Sequence, residues 1–180
     1  YHIINTGRLL SIKGCFKLFG LLKTLNIDII HSHTFTAHIQ SRIVVRFLKN
    51  IVIISSYQNQ SNWVQSSRLR DKGKKLIDRV TGKYLSDALL YVSEGTKTFY
   101  ERHGYRNNNT AVIYNSIESD QIGKIDFSKR LIHDEFHIQP NEKVIVCIGR
   151  LTEQKGYEYL FPAFKAVLSK IHNIKIIIFG

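Results

Sequence analysis

The stretch "CIGRLTEQKGYEYL", residues 147–160, joins an apolar run to a helical pattern through a short turn rich in glycine and positive charge. The apolar run before Gly149 predicts a buried strand, and the glycine lets the chain leave it without a Cβ clash. Arg150, Lys155 and Gly156 follow, and the free amides of the next helix favour an anion at its start. An arginine can hold phosphate oxygens in a fork, while a lysine adds a point charge. The spacing therefore indicates either an anion site or a solvated basic loop.

Strand-like and helix-like patterns alternate along the whole chain. The strand-like runs are short and mostly apolar: Ile27–Ser32, Ile51–Ser55, Ala88–Val92, Thr110–Tyr114, Asn141–Gly149 and Ile174–Phe179. The helical patterns cover Leu9–Leu25, Phe35–Leu48, Arg68–Tyr84, Glu94–His103 with Ser93 as its N-cap, and Tyr157–Ile171. Apolar strands separated by helices predict an α/β protein with parallel sheets.

The segment 116–127 has no clear period, and it predicts a linker between two α/β domains, residues 1–115 and residues 128–180. Two strands are too few to close the core of the second domain. We therefore expect both domains to be incomplete in this chain, as in a segment of a longer protein. Pro162 lies inside the last helical pattern, so we also expect a kink or a late start of that helix.

The composition is strongly basic, with 26 Lys and Arg against 14 acidic residues and a net charge of +12. Such a balance favours nucleic acid, phosphorylated substrates or an acidic membrane surface as partners. No run of about 18 apolar residues occurs, so the sequence predicts no membrane-spanning helix. Two isolated cysteines, Cys15 and Cys147, lie in apolar patterns and are predicted to be core residues of a protein from a reducing cytoplasm.

Three histidines occur in "IIHSHTFTAH", residues 29–38. His31 and His33 lie two apart on a strand and are expected to face the same side at its carboxyl end, where ligands collect in open α/β sheets. With His38, a zinc site of three histidines is one interpretation. The others are a hydrogen bond from one histidine to a polar substrate, or two histidines with structural partners only.

The helical pattern 68–84 is the most basic part of the chain. Its apolar residues form a stripe of Leu69, Leu76, Ile77, Val80 and Tyr84. A solvated outer face is one interpretation of the cations, and contact with an anionic membrane is the other. Trp63, just before this helix, is predicted to be a packed loop residue rather than a membrane anchor.

Together these motifs resemble a known family. The run "IDIIHSHTFTAH" (27–38), then "YVSEGTKTFYERHGY" (91–105), "VIYNSIE" (112–118) and the turn at residues 147–160 resemble, in this order, the retaining glycosyltransferases of the GT-B fold, of the family 4 or group 1 type. The resemblance implies two Rossmann-like domains with a nucleotide-sugar donor, UDP- or GDP-linked, in the cleft between them.

The resemblance also implies roles for individual residues. Gly149, Arg150 and Lys155 match the residues that bind the donor diphosphate, and both cations would be catalytic because they stabilise the leaving group. His33 matches a catalytic histidine on the acceptor side. Gln58 stands where many members have a histidine, and it is expected to take part on the same side.

Two further positions match, and two family elements do not occur in the chain. Asn115 matches the asparagine that closes the first domain, and Ser93 matches the serine after the preceding strand. The family's glycine-rich loop would lie before Tyr1, and its pair of glutamates would lie after Gly180. We therefore expect no sugar transfer by the 180 residues alone.

The function implied is transfer of a hexose, with retention of configuration, to a saccharide or lipid-linked acceptor in surface polysaccharide or lipopolysaccharide biosynthesis. It implies no cofactor and no metal, no nucleic-acid partner, and a cytoplasmic location at the inner face of the membrane. Alternative functions are a GT-B sugar epimerase, a sugar-phosphate synthase or a basic nucleic-acid-binding module. A nicotinamide-dependent dehydrogenase is not indicated, because no G-x-G-x-x-G follows a strand.

Overall fold

The computed structural model describes residues 11–122 and 131–180. Of these, the residues up to Ile117 form one compact unit, and those from Glu118 onward form a second. Each unit has its own sheet, of four strands in the first and two in the second. The predicted domain limits of 1–115 and 128–180 stay a prediction, since part of the predicted linker lies outside the described residues.

The first unit is a four-stranded parallel sheet with helices between its strands. Its elements in chain order are α1 (Ile12–Leu25), β1 (Ile29–His33), α2 (Phe35–Val45), β2 (Val52–Tyr57), α3 (Asn62–Gln65), α4 (Leu69–Leu85), β3 (Ala88–Tyr91), α5 (Glu94–Arg102) and β4 (Thr110–Val112). The strands lie in the order β1-β2-β3-β4, so each pairs with the next one along the chain. The carboxyl ends of all four strands therefore lie at one edge of the sheet.

The second unit is smaller, and its two strands are also parallel. Its elements are α6 (Ser119–Ile122), α7 (Leu131–Glu135), β5 (Lys143–Ile148), a 3-10 turn (Glu153–Lys155), α8 (Tyr157–Leu168) and β6 (Ile174–Phe179). The sheet leaves apolar side chains uncovered, among them Ile148, which is 82% exposed. Two strands and one long helix bury little apolar surface.

Two helices of the first unit, α1 and α5, begin at a serine whose side chain caps the helix. Ser93 caps α5, where its side chain accepts a hydrogen bond from the amide of Thr96 at 3.1 Å, as predicted. Ser11 does the same for α1 by accepting from the amide of Gly14 at 3.1 Å. The polar and aromatic segment 58–67, which has no helical pattern in the sequence, contains the four-residue helix α3.

The core of the first unit consists of two clusters. One is largely aromatic and contains Tyr57, Val64, Leu89, Tyr91, Phe99, Tyr100 and Tyr105. The other is aliphatic and contains Leu22, Val44, Val45 and Ile53. Trp63 packs against the aromatic cluster, which confirms that it is a packed residue, but it lies in helix α3 and not in a loop.

Periodicity located the helices better than it located their buried faces. In α1, Leu22 is buried, but two other apolar residues of this helical pattern, Ile12 and Phe16, are 74% and 73% exposed. Cys15 and Cys147 are half-buried rather than fully in the core. In the second unit α8 begins at Tyr157 and continues through Pro162, so the alternative of a late helix start is wrong.

Candidate functional site

The turn after β5 is held by backbone hydrogen bonds at Gly149. The amide of Gly149 donates to the carbonyl of Phe179 at 2.8 Å, which extends the β5–β6 pairing by one residue. The carbonyl of Gly149 accepts from the hydroxyl of the buried Tyr157 at 2.8 Å. The side chain of the first residue of α8 thus ties the helix start to the strand end.

Lys155 lies across Gly149. A Cβ added at Gly149, where φ is +157°, would stand 3.5 Å from Cε of Lys155 and in contact with the rest of its stem. Gly156 follows in the left-handed conformation, φ 68° and ψ 27°, between the 3-10 turn and α8. This conformation favours glycine because it brings a side chain close to the backbone.

The two cations of the turn are exposed and available to a ligand. Arg150 directly follows Gly149, and neither its guanidinium nor the ammonium of Lys155 has a hydrogen bond or ion pair among the described residues. The structure places the stem of Lys155 beside Gly149, and Arg150 is the next residue in the chain. The predicted roles of the three residues in diphosphate binding stay a prediction.

His33 and Gln58 lie together at the carboxyl edge of the first sheet. The amide nitrogen of Gln58 lies 3.1 Å from Nδ1 of His33, and 2.9 Å from Oγ of Ser56, the strand partner of His33. An amide nitrogen only donates, so Nδ1 of His33 accepts and its ring proton is on Nε2. The imidazole of His33 can therefore donate to an incoming oxygen atom.

His31 shares the face of His33, as the strand period predicted. Their ring centroids are 4.3 Å apart. Partial burial, and then the neighbouring His33, lowers the pKa of His31 below its ordinary value. A lowered pKa favours the neutral form of His31, which suits hydrogen bonding better than charge.

The zinc interpretation of the three histidines is not supported. His38 is 2% exposed, and its Nδ1 shares a hydrogen bond of 2.9 Å with the hydroxyl of Ser32. Burial, and then the charge of Arg42, lowers the pKa of His38 to about 3. Within residues 11–122 and 131–180, no three side chains of His, Cys, Asp or Glu come together so as to hold a metal ion. His38 is a neutral core residue.

A cavity of about 320 Å³, here called the β2 pocket, lies where β2 ends. Its walls include Phe35, His38, Tyr57, Gln58, Trp63 and Tyr100. The rings of Phe35 and Trp63 are 5.1 Å apart. Aromatic faces beside amide and hydroxyl groups match the two surfaces of a sugar, whose C–H faces are apolar and whose rim carries hydroxyls.

Backbone strain marks the wall of this pocket. Thr34 precedes α2 with φ 73° and ψ 152°, and its side chain makes no capping hydrogen bond. A β-branched residue in this region is a true outlier that costs on the order of 1–3 kcal/mol. Thr34 also lines the β2 pocket. Strain of this kind is concentrated at ligand sites.

A buried ion pair at the wall of the pocket was missed by the sequence reasoning. Nη1 of Arg42 on α2 lies 2.7 Å from Oδ1 of Asp78 on α4, and both side chains are 0% exposed. Arg42 also donates to Ser55 at 3.0 Å and to the hydroxyl of Tyr57 at 3.2 Å. Burial raises the pKa of Asp78, because the loss of solvent outweighs the positive charge of Arg42. The available signal was weak: a single charged residue within a mostly apolar helix turn.

The helix α4 presents its apolar stripe outward, not to the core. Leu69, Leu76 and Tyr84 are 85%, 58% and 66% exposed, and the remaining members of the stripe are at least 40% exposed. The residues that face inward are Asp78 and Gly82. The prediction of a solvated outer face is thus right for only part of the surface, because apolar side chains share that surface with the cations.

Ser93 and Asn115 are the two remaining residues that match the resembled family. Ser93 is the cap of α5, and its hydroxyl is 3.0 Å from Oγ1 of Thr96. Asn115 is exposed, three residues after the end of β4. No helix in the described part of the chain has the length and apolarity to cross a bilayer.

Comparison with known proteins identifies the family. The model of Glycosyltransferase Family 4 matches residues 1–121. The uncharacterized glycosyltransferase MJ1059 of Methanocaldococcus jannaschii is 27% identical over 94% of this chain and 43% of its own length. A protein of Klebsiella pneumoniae, named as an uncharacterized 41.2 kDa protein in the cps region, is 26% identical over 89% of the chain and 46% of its own length. The chain thus spans less than half the length of these relatives.

Solved structures agree on the fold. Anabaena HepE, in a crystal structure described as a complex with UDP-glucose, superposes with a TM-score of 0.80 at 16% identity, over 98% of this chain and 46% of that one. Sucrose-phosphate synthase of Thermosynechococcus elongatus superposes with a TM-score of 0.72 at 14% identity, over 97% of this chain and 45% of that one. The α/β architecture with parallel sheets is that of the GT-B glycosyltransferases, and the match over residues 1–121 shows that the chain belongs to glycosyltransferase family 4.

Proposed function

We propose that the chain carries the diphosphate-binding turn and the acceptor side of a retaining glycosyltransferase. The enzyme would transfer a hexose from a UDP- or GDP-sugar to a saccharide or lipid-linked acceptor in surface polysaccharide biosynthesis. The observation that carries the donor assignment is the turn in which the stem of Lys155 crosses Gly149, with Arg150 next to it and both cations unpaired among the described residues. The description of HepE as a UDP-glucose complex supports a donor of the same chemistry.

The proposed role of this turn in catalysis is electrostatic stabilisation of the leaving group. As the bond between the anomeric carbon and the diphosphate oxygen breaks, negative charge grows on the leaving diphosphate. Arg150 and Lys155 would stabilise that charge, and one such donor contributes about 2.7–4 kcal/mol in comparable sites. The acceptor hydroxyl forms the new bond to the anomeric carbon and passes its proton to the departing diphosphate oxygen. The proposal includes no metal and no cofactor.

The acceptor would bind to the first unit. The β2 pocket offers two aromatic rings, Phe35 and Trp63, and the amide of Gln58 at its wall. Gln58 is also the hydrogen-bond partner of His33, which leaves Nε2 of that histidine to donate to a sugar oxygen. This arrangement supports a saccharide as the acceptor group.

Binding of UDP by the 180-residue chain tests the donor assignment. We expect the amide NMR signals of Gly149 and Gly156 to shift on titration with UDP. Replacing Arg150 and Lys155 by Gln should weaken this binding about tenfold or more, because charged hydrogen bonds contribute about 1.5–3 kcal/mol each. Lys165→Gln, a change of an exposed lysine on α8, is the matched control. Equal UDP affinity in the double variant and the control would contradict the assignment.

We also propose that α4 rests on an anionic membrane surface at the cytoplasmic face. An exposed apolar stripe flanked by lysines and arginines is the pattern of a helix that lies in the membrane interface. Each cation near such a surface contributes about 1 kcal/mol, and apolar side chains add to this by burial among the lipids. Lys74 is a poor probe of this contact because it pairs with Asp71 at 3.4 Å.

Sedimentation with vesicles tests the membrane contact. Leu69→Gln with Leu76→Gln should weaken binding to vesicles that contain phosphatidylglycerol. Ile12→Gln with Phe16→Gln, a pair of 74% and 73% exposed residues on α1, should not. Binding should also fall with added salt. If both pairs of substitutions weaken binding equally, the membrane contact is not made by α4.

A further inference from the structure

A second and larger cavity of the first unit has no place in the proposed donor or acceptor site. This cavity has a volume of about 780 Å³ and lies between α3, the first half of α4 and α5. Lys72, Lys75, Arg102 and His103 line it, and Val64 and Phe99 contribute apolar surface. We call it the cationic cleft.

The charges of the cationic cleft are uncompensated. No acidic residue lines it among the residues that the structure describes. Lys72, Lys75 and Arg102 take part in none of the ion pairs or side-chain hydrogen bonds of the described ranges, unlike Lys74 nearby, which pairs with Asp71. Like charges that share a cleft repel one another, and an anion bound between them removes that repulsion. An arginine fork beside two lysines suits phosphate oxygens.

The cationic cleft and the β2 pocket have a common wall. In α3, Trp63 lines the pocket and the next residue, Val64, lines the cleft. In α5, Tyr100 lines the pocket and Phe99 lines the cleft. The two cavities therefore neighbour each other along α3 and α5. A ligand with a sugar and an adjoining phosphate has two chemically different parts that match the two neighbouring cavities.

We propose that the cationic cleft binds the phosphate or diphosphate of a lipid, and that the sugar carried by this lipid occupies the β2 pocket as the acceptor. Leu76 of the exposed stripe lies one helical turn after Lys72, so the cleft is next to the surface proposed to face the membrane. This inference rests on the proposed function, and it narrows the acceptor to a phosphate-linked lipid saccharide.

Inorganic pyrophosphate tests whether the cleft is an anion site. Its binding to the 180-residue chain is followed through the amide NMR signals of Gly95 and Thr98, which line the cleft. Lys72→Gln with Lys75→Gln should weaken the response about tenfold or more, as for the loss of charged hydrogen bonds. Arg70→Gln with Lys83→Gln, which removes two α4 cations outside the cleft, should leave it unchanged.

If the two double variants weaken pyrophosphate binding equally, or if neither weakens it, the proposal is overturned. The signals of Gly149 and Gly156 report binding at the proposed donor turn in the same titration. Failure at the cleft is therefore distinguishable from failure of the donor assignment.

Vesicles distinguish the two lipid sources of the phosphate. Phosphatidylcholine vesicles that contain polyprenyl diphosphate are compared with vesicles that contain phosphatidylglycerol at equal charge. A preference for the polyprenyl diphosphate that is lost in Lys72→Gln with Lys75→Gln supports a lipid-linked acceptor. An equal loss with both kinds of vesicle assigns the cleft to phospholipid headgroups and overturns the acceptor part of the proposal.

Discussion

Replacing Asp78 by Asn should destabilise the first unit strongly. The carboxylate of Asp78 pairs with Arg42 at 2.7 Å, and neither side chain is exposed. In Asp78→Asn the guanidinium stays charged and buried without a counter-charge, and breaking a buried pair in this way costs about 3–5 kcal/mol. Both carboxylate oxygens also lie 3.3 Å from the hydroxyl of Tyr57, so the substitution also weakens the hydrogen bonding of this residue of β2. Domains of this size are stable by only about 5–15 kcal/mol.

Urea unfolding followed by circular dichroism measures this loss as a fall in the midpoint at constant slope. Asp71→Asn is the matched control, since it removes a second acid of α4, whose pair with Lys74 at 3.4 Å is near the solvent. We expect a much smaller effect there, because pairs near the solvent contribute little. Similar losses in the two variants would refute the reasoning.

A double variant distinguishes the effect of an unpaired buried charge from the effect of lost packing. Arg42→Met with Asp78→Asn removes both charges at similar volume, so no buried charge is left without its partner. The double variant should therefore lose less than the sum of its two single substitutions. Additive losses would show that each side chain acts through other contacts.

Three further predictions concern pH and backbone conformation. The pKa of His38 falls from 6.5 to about 3 on folding, so on acidification the unfolded chain takes up a proton that the folded chain does not. The free energy of unfolding of the protein should therefore fall by about 1.4 kcal/mol for each pH unit below 6.5. This slope, measured in urea at several pH values, should be reduced in His38→Gln. Thr34→Gly should raise the unfolding free energy by about 1 kcal/mol, because glycine adopts φ 73° without strain. Gly156→Ala should destabilise the second unit by about 1 kcal/mol in NMR-detected unfolding, because φ there is 68°.

Each of these predictions has its own control. An unchanged pH slope in His38→Gln would assign the acid sensitivity to other groups. Thr34→Val keeps the β-branch and should show no gain in stability, so a gain in both variants would contradict the strain argument. Gly156→Asn should cost less than Gly156→Ala, because asparagine tolerates the left-handed region. An equal cost would point to side-chain packing against Tyr159, which lies 3.6 Å from an added Cβ.

Much of the site is a local property of the sequence. The strand, the glycine and the helix start that form the turn at residues 149–156 are adjacent in the chain, so their order alone predicts the turn. The period of two along β1 likewise predicts that His31 and His33 share a face, and their rings are 4.3 Å apart. The pairing of His33 with Gln58 also follows in outline, because neighbouring parallel strands end at one edge of the sheet.

The sequence by itself determined the alternation of strands and helices, the Ser93 cap and the turn between β5 and α8, because periodicity, capping and turn chemistry depend on residues a few positions apart. Only the tertiary structure decided what each helix face meets. Arg42 and Asp78 are 36 positions apart and pair because α2 packs on α4, and this contact turns the apolar stripe of α4 outward. The β2 pocket and the cationic cleft likewise exist because α3 lies between them. A helical period locates an apolar stripe, but the energy of packing the whole unit selects which side is buried.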